Sequence, residues 1–171
     1  MQKSNYSIAV NLAKSQNSKD LHDIYRKYGD HLYQKKEFEG AIKQYLNAIE
    51  KLEPSYVIRK FLDAQRIGNL ITYLEALHEK HLATEDHTTL LLHCYTKLKD
   101  SKKEKLDYFI RTYSNYNVQI AINVCRQAGY KEHALLLAEK HNEHQWYIKI
   151  WIEDFADPIN TLNYRKALRH I

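Results

Sequence analysis

The stretch "HEKHLATEDHTTLLLHC", residues 78–94, brings His78, His81, His87, His93 and Cys94 close together along the chain. Imidazole and thiolate are the ligands that zinc prefers, and a neighbouring Glu79 could serve a zinc-bound water as a base. Spacing decides how seriously to take this. His78 and His81 are three residues apart and can share one helical face. "HEKH" is nevertheless one residue shorter than the HExxH spacing that sets two ligands and a catalytic glutamate in working positions. His93 and Cys94 are adjacent, so on a helix they point in different directions, and no CxxC accompanies them. The residues read better as histidines on the faces of a helix pair, with Leu74, Leu77, Leu91, Tyr95 and Leu98 supplying its apolar side. A metal-dependent hydrolase on His78, Glu79 and His81 is the competing enzymatic reading; no metal or cofactor is assigned.

Other chemistry is equally sparse. "HNEHQWY", residues 141–147, repeats the three-residue histidine spacing and opens an aromatic face of Trp146, Tyr147 and Trp151. Such a face suits packing between helices, and it is the candidate interaction surface. "KLKDSKKEKLDYF", residues 97–109, is the densest basic run, but Asp100 and Glu104 interrupt it, which suits a solvated turn better than a lipid or nucleic-acid site. There is no G-x-S-x-G elbow, no glycine-rich phosphate loop and no cysteine–histidine arrangement able to activate a nucleophile. The sequence therefore names no catalytic residue, and a non-enzymatic protein is expected.

These residues must be carried by helices. The chain has 171 residues but only four glycines and two prolines, too few turn formers for a β-rich design. The net charge of +5 is spread beside acids along solvated faces. Cys94 and Cys125 form no disulfide framework and suit a reducing compartment. No signal peptide and no apolar run of membrane-spanning length is visible. Apolar residues recur at steps of three and four: Leu21, Ile24, Tyr25, Tyr28 and Leu32, then Phe38, Ala41, Ile42, Tyr45 and Ile49. The spacing predicts helices near 5–15, 19–35, 38–52, 55–66, 69–81, 87–99, 102–113, 117–128, 131–141, 144–155 and 162–170.

Punctuation agrees with that division. Ser18 is placed to cap one helix, Ser101 and Glu104 to form a capping box, Pro54 to open a helix and Asp157-Pro158 to start another. Gly68 and Gly129 are placed just after helices, where a left-handed residue is wanted. The helical pattern begins near Met1 and runs to "YRKALRHI", so the chain reads as a segment of a longer protein.

Residues 28–49, "YGDHLYQKKEFEGAIKQYLNAI", resemble a tetratricopeptide unit spanning about 22–54. Tyr28-Gly29 forms the large–small pair; Ala41, Tyr45 and Ala48 hold the second-helix positions. Gly29 and Ala41 let two helices approach and Tyr45 fills the groove beside them. Looser echoes put Ala134 after Tyr130 and Ala167 after Tyr164. The expected architecture is all-α: a right-handed α-solenoid of antiparallel helical hairpins, similar to clathrin-heavy-chain repeats, running as one solenoid through 1–171.

One resemblance is more specific. "KLEPSYVIRKFLDAQRIGNLITYLEALHEKHLATEDHTTLLLHCYTKLKD", residues 51–100, with "YGDHLY" before it and "RQAGYKEHALLLAEKHNEHQWYIKI" after it, resembles the vacuolar protein sorting-associated protein eleven family. The resemblance is carried by about 28–100 and 119–150 and is weaker elsewhere. It implies a scaffold segment of a membrane-tethering complex of the HOPS or CORVET type. The segment would act in vesicle transport and fusion on the cytosolic face of late endosomes, lysosomes or vacuoles. Its expected partners are other tethering subunits, with membrane association indirect and neither nucleic acid nor a small-molecule ligand expected. The β-propeller and zinc-binding RING domain of that family have no counterpart in this chain, so no zinc ligand or ligase role carries over. The alternative is a tetratricopeptide-like clamp for acidic peptide ends, using Lys27, Lys35, Lys43 or Arg59.

Overall fold

The computed structural model describes residues 3–16, 20–98 and 102–155. Ser18, Ser101, Asp157-Pro158, Tyr164, Ala167 and the helix expected over 162–170 lie outside the described residues. Within them the chain forms ten α-helices and no strand, the all-helical class that the apolar periodicity predicts. They are α1 (Lys3–Ser15), α2 (Leu21–Gln34), α3 (Phe38–Asn47), α4 (Pro54–Asp63), α5 (Ile67–Glu79), α6 (Glu85–Thr96), α7 (Lys102–Thr112), α8 (Val118–Gln127), α9 (Lys131–Lys140) and α10 (His144–Ile150). A wider-wound π-helical turn, Trp151–Phe155, continues α10, where the periodicity alone predicts an unbroken helix. Two compact units are present, Met1–Leu82 and Ala83–Ile171.

One device recurs at the helix ends. Helices α2, α4, α5, α8 and α9 each stop with a residue in the left-handed region: Lys36 (φ 60°), Gln65 (φ 54°), His81 (φ 57°), Gly129 (φ 85°) and Asn142 (φ 56°). Each stop carries the same two backbone bonds. After α2, Glu37 N–H donates to Leu32 C=O and Lys36 N–H to Tyr33 C=O; after α4, Arg66 donates to Phe61 and Gln65 to Leu62; after α8, Tyr130 donates to Cys125 and Gly129 to Arg126. These bonds satisfy carbonyls that the ending helix leaves open. In the α2–α3, α4–α5, α8–α9 and α9–α10 connections the residue just past the left-handed one is also the N-cap of the next helix. These caps share one conformation: Glu37 (−82°, 65°), Arg66 (−93°, 67°), Tyr130 (−90°, 62°) and Glu143 (−82°, 70°). A repeated turn of fixed geometry reverses the chain into repeated helical hairpins.

Pro54 opens α4, where its missing N–H costs nothing. The expectation for Gly68 is corrected: it sits in the first turn of α5, with nothing within 4 Å of a Cβ built there, and Gln65 takes the left-handed position instead. α4 is shorter than its apolar pattern suggests, so the stop falls three residues earlier.

Apolar faces then pack within each unit. In the first, Leu32, Ala41, Tyr45, Val57, Phe61, Leu70, Tyr73, Leu74 and Leu77 are buried. Tyr6 of α1 stacks on Tyr28 of α2 with ring centroids 5.1 Å apart. In the second, Leu91, Leu92, Tyr95, Leu106, Phe109, Ala121, Ile122, Cys125, Ala134, Leu137 and Ile150 are buried. Phe109 meets the Tyr95 ring edge-on at 6.2 Å and leans on Tyr116 at 5.1 Å. Among the described residues no helix is long and apolar enough to cross a membrane.

Candidate functional site

The best-defined constellation of the first unit lies where α2, α3 and α4 meet. Tyr28 and Gly29 are buried on α2, Ala41 and Tyr45 on α3, and Ala48 is the buried C-cap of α3. A Cβ on Gly29 would stand 2.6 Å from Tyr45 Cε1, so only glycine lets this ring lie against the α2 backbone. The Tyr45 hydroxyl then reaches Asp30 Oδ1 at 2.7 Å. Tyr56 of α4 donates to the same oxygen at 2.6 Å, and Lys60 Nζ stands 3.2 Å from it. Lys60 lies 4.8 Å from the centroids of both the Tyr33 and Tyr56 rings, and the Tyr33 hydroxyl donates to Lys60 C=O at 2.7 Å. One carboxylate on α2 thus collects donors from two further helices, α3 and α4.

Titration follows from this geometry. Burial, then donation to Asp30, pushes the Tyr45 phenol far above its ordinary range, and the same two causes raise Tyr56. Burial works against the Lys60 charge, but the Asp30 carboxylate outweighs it and the ammonium is held above its ordinary range. Such a cluster holds protons tightly and offers none for transfer near neutral pH, which suits a structural staple and not acid–base chemistry. A second tie joins α3 to α5, where the buried Asn69 donates from Nδ2 to Glu39 Oε1 at 2.9 Å.

The histidine-rich stretch divides among different tasks. His78 lies in the last turn of α5, Glu79 ends that helix, and His81 takes the left-handed position beyond it. His87 belongs to the N-terminal cap of α6, while His93 is exposed and Cys94 is buried. Burial pushes the Cys94 thiol up to about 12, and burial does the same to Cys125. Neither thiol is a ready nucleophile, because the thiolate is the reactive form. Among the described residues no three His, Cys, Asp or Glu side chains gather as a metal-ligand set.

Of the basic residues considered for peptide binding, Lys27 is paired with Asp23 at 2.7 Å. Lys35, Lys43 and Arg59 are exposed on the ends or outer faces of α2, α3 and α4. In the second unit Ala134 is fully buried on α9. Tyr147 turns into the core, and Trp146 and Trp151 are half-buried. Lys149 Nζ and the Arg126 guanidinium lie 5.1 and 5.9 Å from the Trp146 ring, and Trp151 packs between Tyr147 and Phe155 at 6.3 and 5.1 Å. Arg126 anchors the π-helical turn through Glu153 at 2.7 Å and Asp154 at 2.6 Å, which holds its guanidinium charged. A groove of about 340 Å³ between α7 and α9 is lined by Asp107, Ile110, Arg111, Leu136, Glu139 and Lys140.

The Asp30 staple, the left-handed stops at residues other than glycine and the cap at His87 escape a reading of the sequence. Only the last leaves a local signal, a Thr-x-x-His step ahead of "TTLLL".

Repeated helical hairpins joined by one turn geometry, with small residues at the close approaches, define an α-helical repeat protein. The PEP5/VPS11 Clathrin repeat model matches residues 33–171, and the chain belongs to that family. It is 58% identical to a vacuolar protein sorting-associated protein 11 homolog of Dictyostelium discoideum, over 99% of this chain and 17% of that protein. Against the homolog of Homo sapiens identity is 56%, over 97% of this chain and 17% of the relative. Against that of Arabidopsis thaliana it is 52%, over 97% and 18%. The chain therefore spans about a sixth of the length of the curated relatives it matches.

Proposed function

We propose that this chain is a scaffold segment of a membrane-tethering assembly of the HOPS or CORVET type, acting in vesicle transport and fusion at late endosomes, lysosomes or vacuoles. The observation that carries this reading is identity of 52–58% along nearly the whole chain to vacuolar sorting homologs from three organisms, on a helical repeat fold. The part such a segment plays is mechanical. Within each unit, repeated hairpins hold their faces in fixed relation, and the faces dock other tethering subunits. No reaction is assigned to it, and it meets membranes through its partners on the cytosolic face.

Trp146 and Trp151, with Tyr147 behind them and the exposed Ile152 beside them, are the proposed contact face. Half-buried aromatics backed by a rigid core lose little entropy on docking and make good anchors. The test is a pull-down of the chain against each purified tethering subunit, with crosslinks mapped in the assembled complex. Association with at least one subunit, weakened about tenfold or more by Trp146→Ala without loss of helical circular dichroism, supports the reading. Failure to associate with every subunit refutes the role, and undiminished binding by the variant refutes the face.

A further inference from the structure

The start of α6 is closed by a capping box with an unusual member. Thr84 is the N-cap, and its Oγ1 accepts from His87 N–H at 3.4 Å. In return Thr84 N–H donates to His87 Nδ1 at 3.1 Å. The reciprocal pair is that of the familiar Ser/Thr-x-x-Glu/Gln box, with an imidazole replacing the carboxylate or amide. That replacement changes the chemistry. A backbone N–H can only donate, so Nδ1 must present a lone pair and the ring proton of neutral His87 must sit on Nε2. Protonation of Nδ1 would point one hydrogen at another and break the bond. It would also set a cation at the positive end of the helix.

From this geometry we infer that His87 makes the α6 N-terminus a proton-operated cap: closed while the imidazole is neutral, and opened in its first turn once the ring is protonated. The turn matters to the second unit, because Thr88 is fully buried and its Oγ1 donates to Thr84 C=O at 3.0 Å. Loosening the cap therefore pulls on a buried side chain and on Leu91 one turn later. Glu85 and Asp86 share the first turn and oppose the effect by favouring a cation. Helices α7 and α8 pack on α6. On α7, Lys103 pairs with Glu132, Lys105 lies over the Tyr95 ring at 5.5 Å, Asp107 stands 3.2 Å from His133 Nε2, and Glu104 and Arg111 are exposed. On α8, Arg126 is held by Glu153 and Asp154, and Cys125 is buried.

The test is a nuclear magnetic resonance titration of the 171-residue chain between about pH 8 and about pH 5, the span in which histidine changes charge. The Thr84 amide proton should shift with the same midpoint as the His87 ring carbons, moving as a hydrogen bond is lost. Urea unfolding gives an independent readout, with His87→Gln supplying an acceptor that does not titrate. On acidification the folded-to-unfolded ratio of the natural chain should fall about fivefold more than that of the variant. The remaining histidines are common to both proteins and cancel in the comparison. A Thr84 amide that ignores the His87 titration overturns the inference, as do identical acid responses of the two proteins.

Discussion

Asp30 of α2 ties itself to α3 and α4 in the first unit. Its Oδ1 receives Tyr45, Tyr56 and Lys60 at 2.6–3.2 Å, from positions 15 to 30 residues away. Asp30→Asn keeps the shape but removes the charge, and the amide's two hydrogens compete with the donors already present. We expect a loss of about 1–3 kcal/mol in urea unfolding, with Tyr45→Phe costing about 1 kcal/mol because only one bond goes. Gly29→Ala should cost about 1–3 kcal/mol despite alanine's better helix propensity. The added methyl meets a ring that is fully buried and pinned at its hydroxyl, so the ring has little room to retreat. The Gly29–Tyr45 pairing is visible in "YGDHLY" and "QYLNAI" because the repeat pattern sets a small residue opposite a large one. Asp30 is not, because nothing local marks it as a hub: its partners are gathered by the turns between the helices.

At the scale of the element, the left-handed stops carry the architecture. Lys36 and Gln65 hold φ near +60° with a Cβ that crowds the following carbonyl. Holding a non-glycine residue there costs about 1–2 kcal/mol. Lys36→Gly or Gln65→Gly should therefore stabilise the chain by about 0.5–1 kcal/mol, part of the gain being lost to the greater freedom of glycine when unfolded. A higher urea midpoint would show this, and a lower one would mean the side chains do more than occupy the turn. A search for glycine finds Gly129 but points to Gly68 instead of Gln65, since a lysine or glutamine carries no conformational mark in the sequence. Lys140 supports another end from outside: its Nζ donates to Ile110 C=O and, at 3.2 Å, to Tyr113 C=O, closing the carbonyls that α7 leaves open.

For the molecule as a whole, acid is the revealing variable. Burial first, and a neighbouring lysine second, hold His31 and His141 below the ordinary histidine value of 6.5. The fold thus favours the neutral rings and the unfolded chain takes up protons first. Stability from these groups is present above about pH 6.5 and is lost as pH falls below it. Urea midpoints taken from about pH 7.5 down to about pH 5.5 should decline, and His141→Gln should flatten the decline. The His141 ring is held against the second unit's core, its Nε2 lying 2.9 Å from the hydroxyl of Tyr116, which is 5% exposed. An unchanged slope would show that His141 is protonated with equal ease in both states.

Much of this molecule was decided within a few residues at a time. Apolar steps of three and four made helices, Pro54 opened one and Gly129 closed another, because such preferences act within a turn or two of the chain. The family was legible for the same reason, since long runs such as residues 51–100 keep their order without folding. Only the tertiary structure decided which carboxylate would gather the tyrosines, which lysine and glutamine would bear left-handed backbone, and that His87 would serve a cap. The first depends on donors brought together across space; the stops and the cap form within a few residues, but only where a helix begins or ends, and the packing of its apolar face decides that.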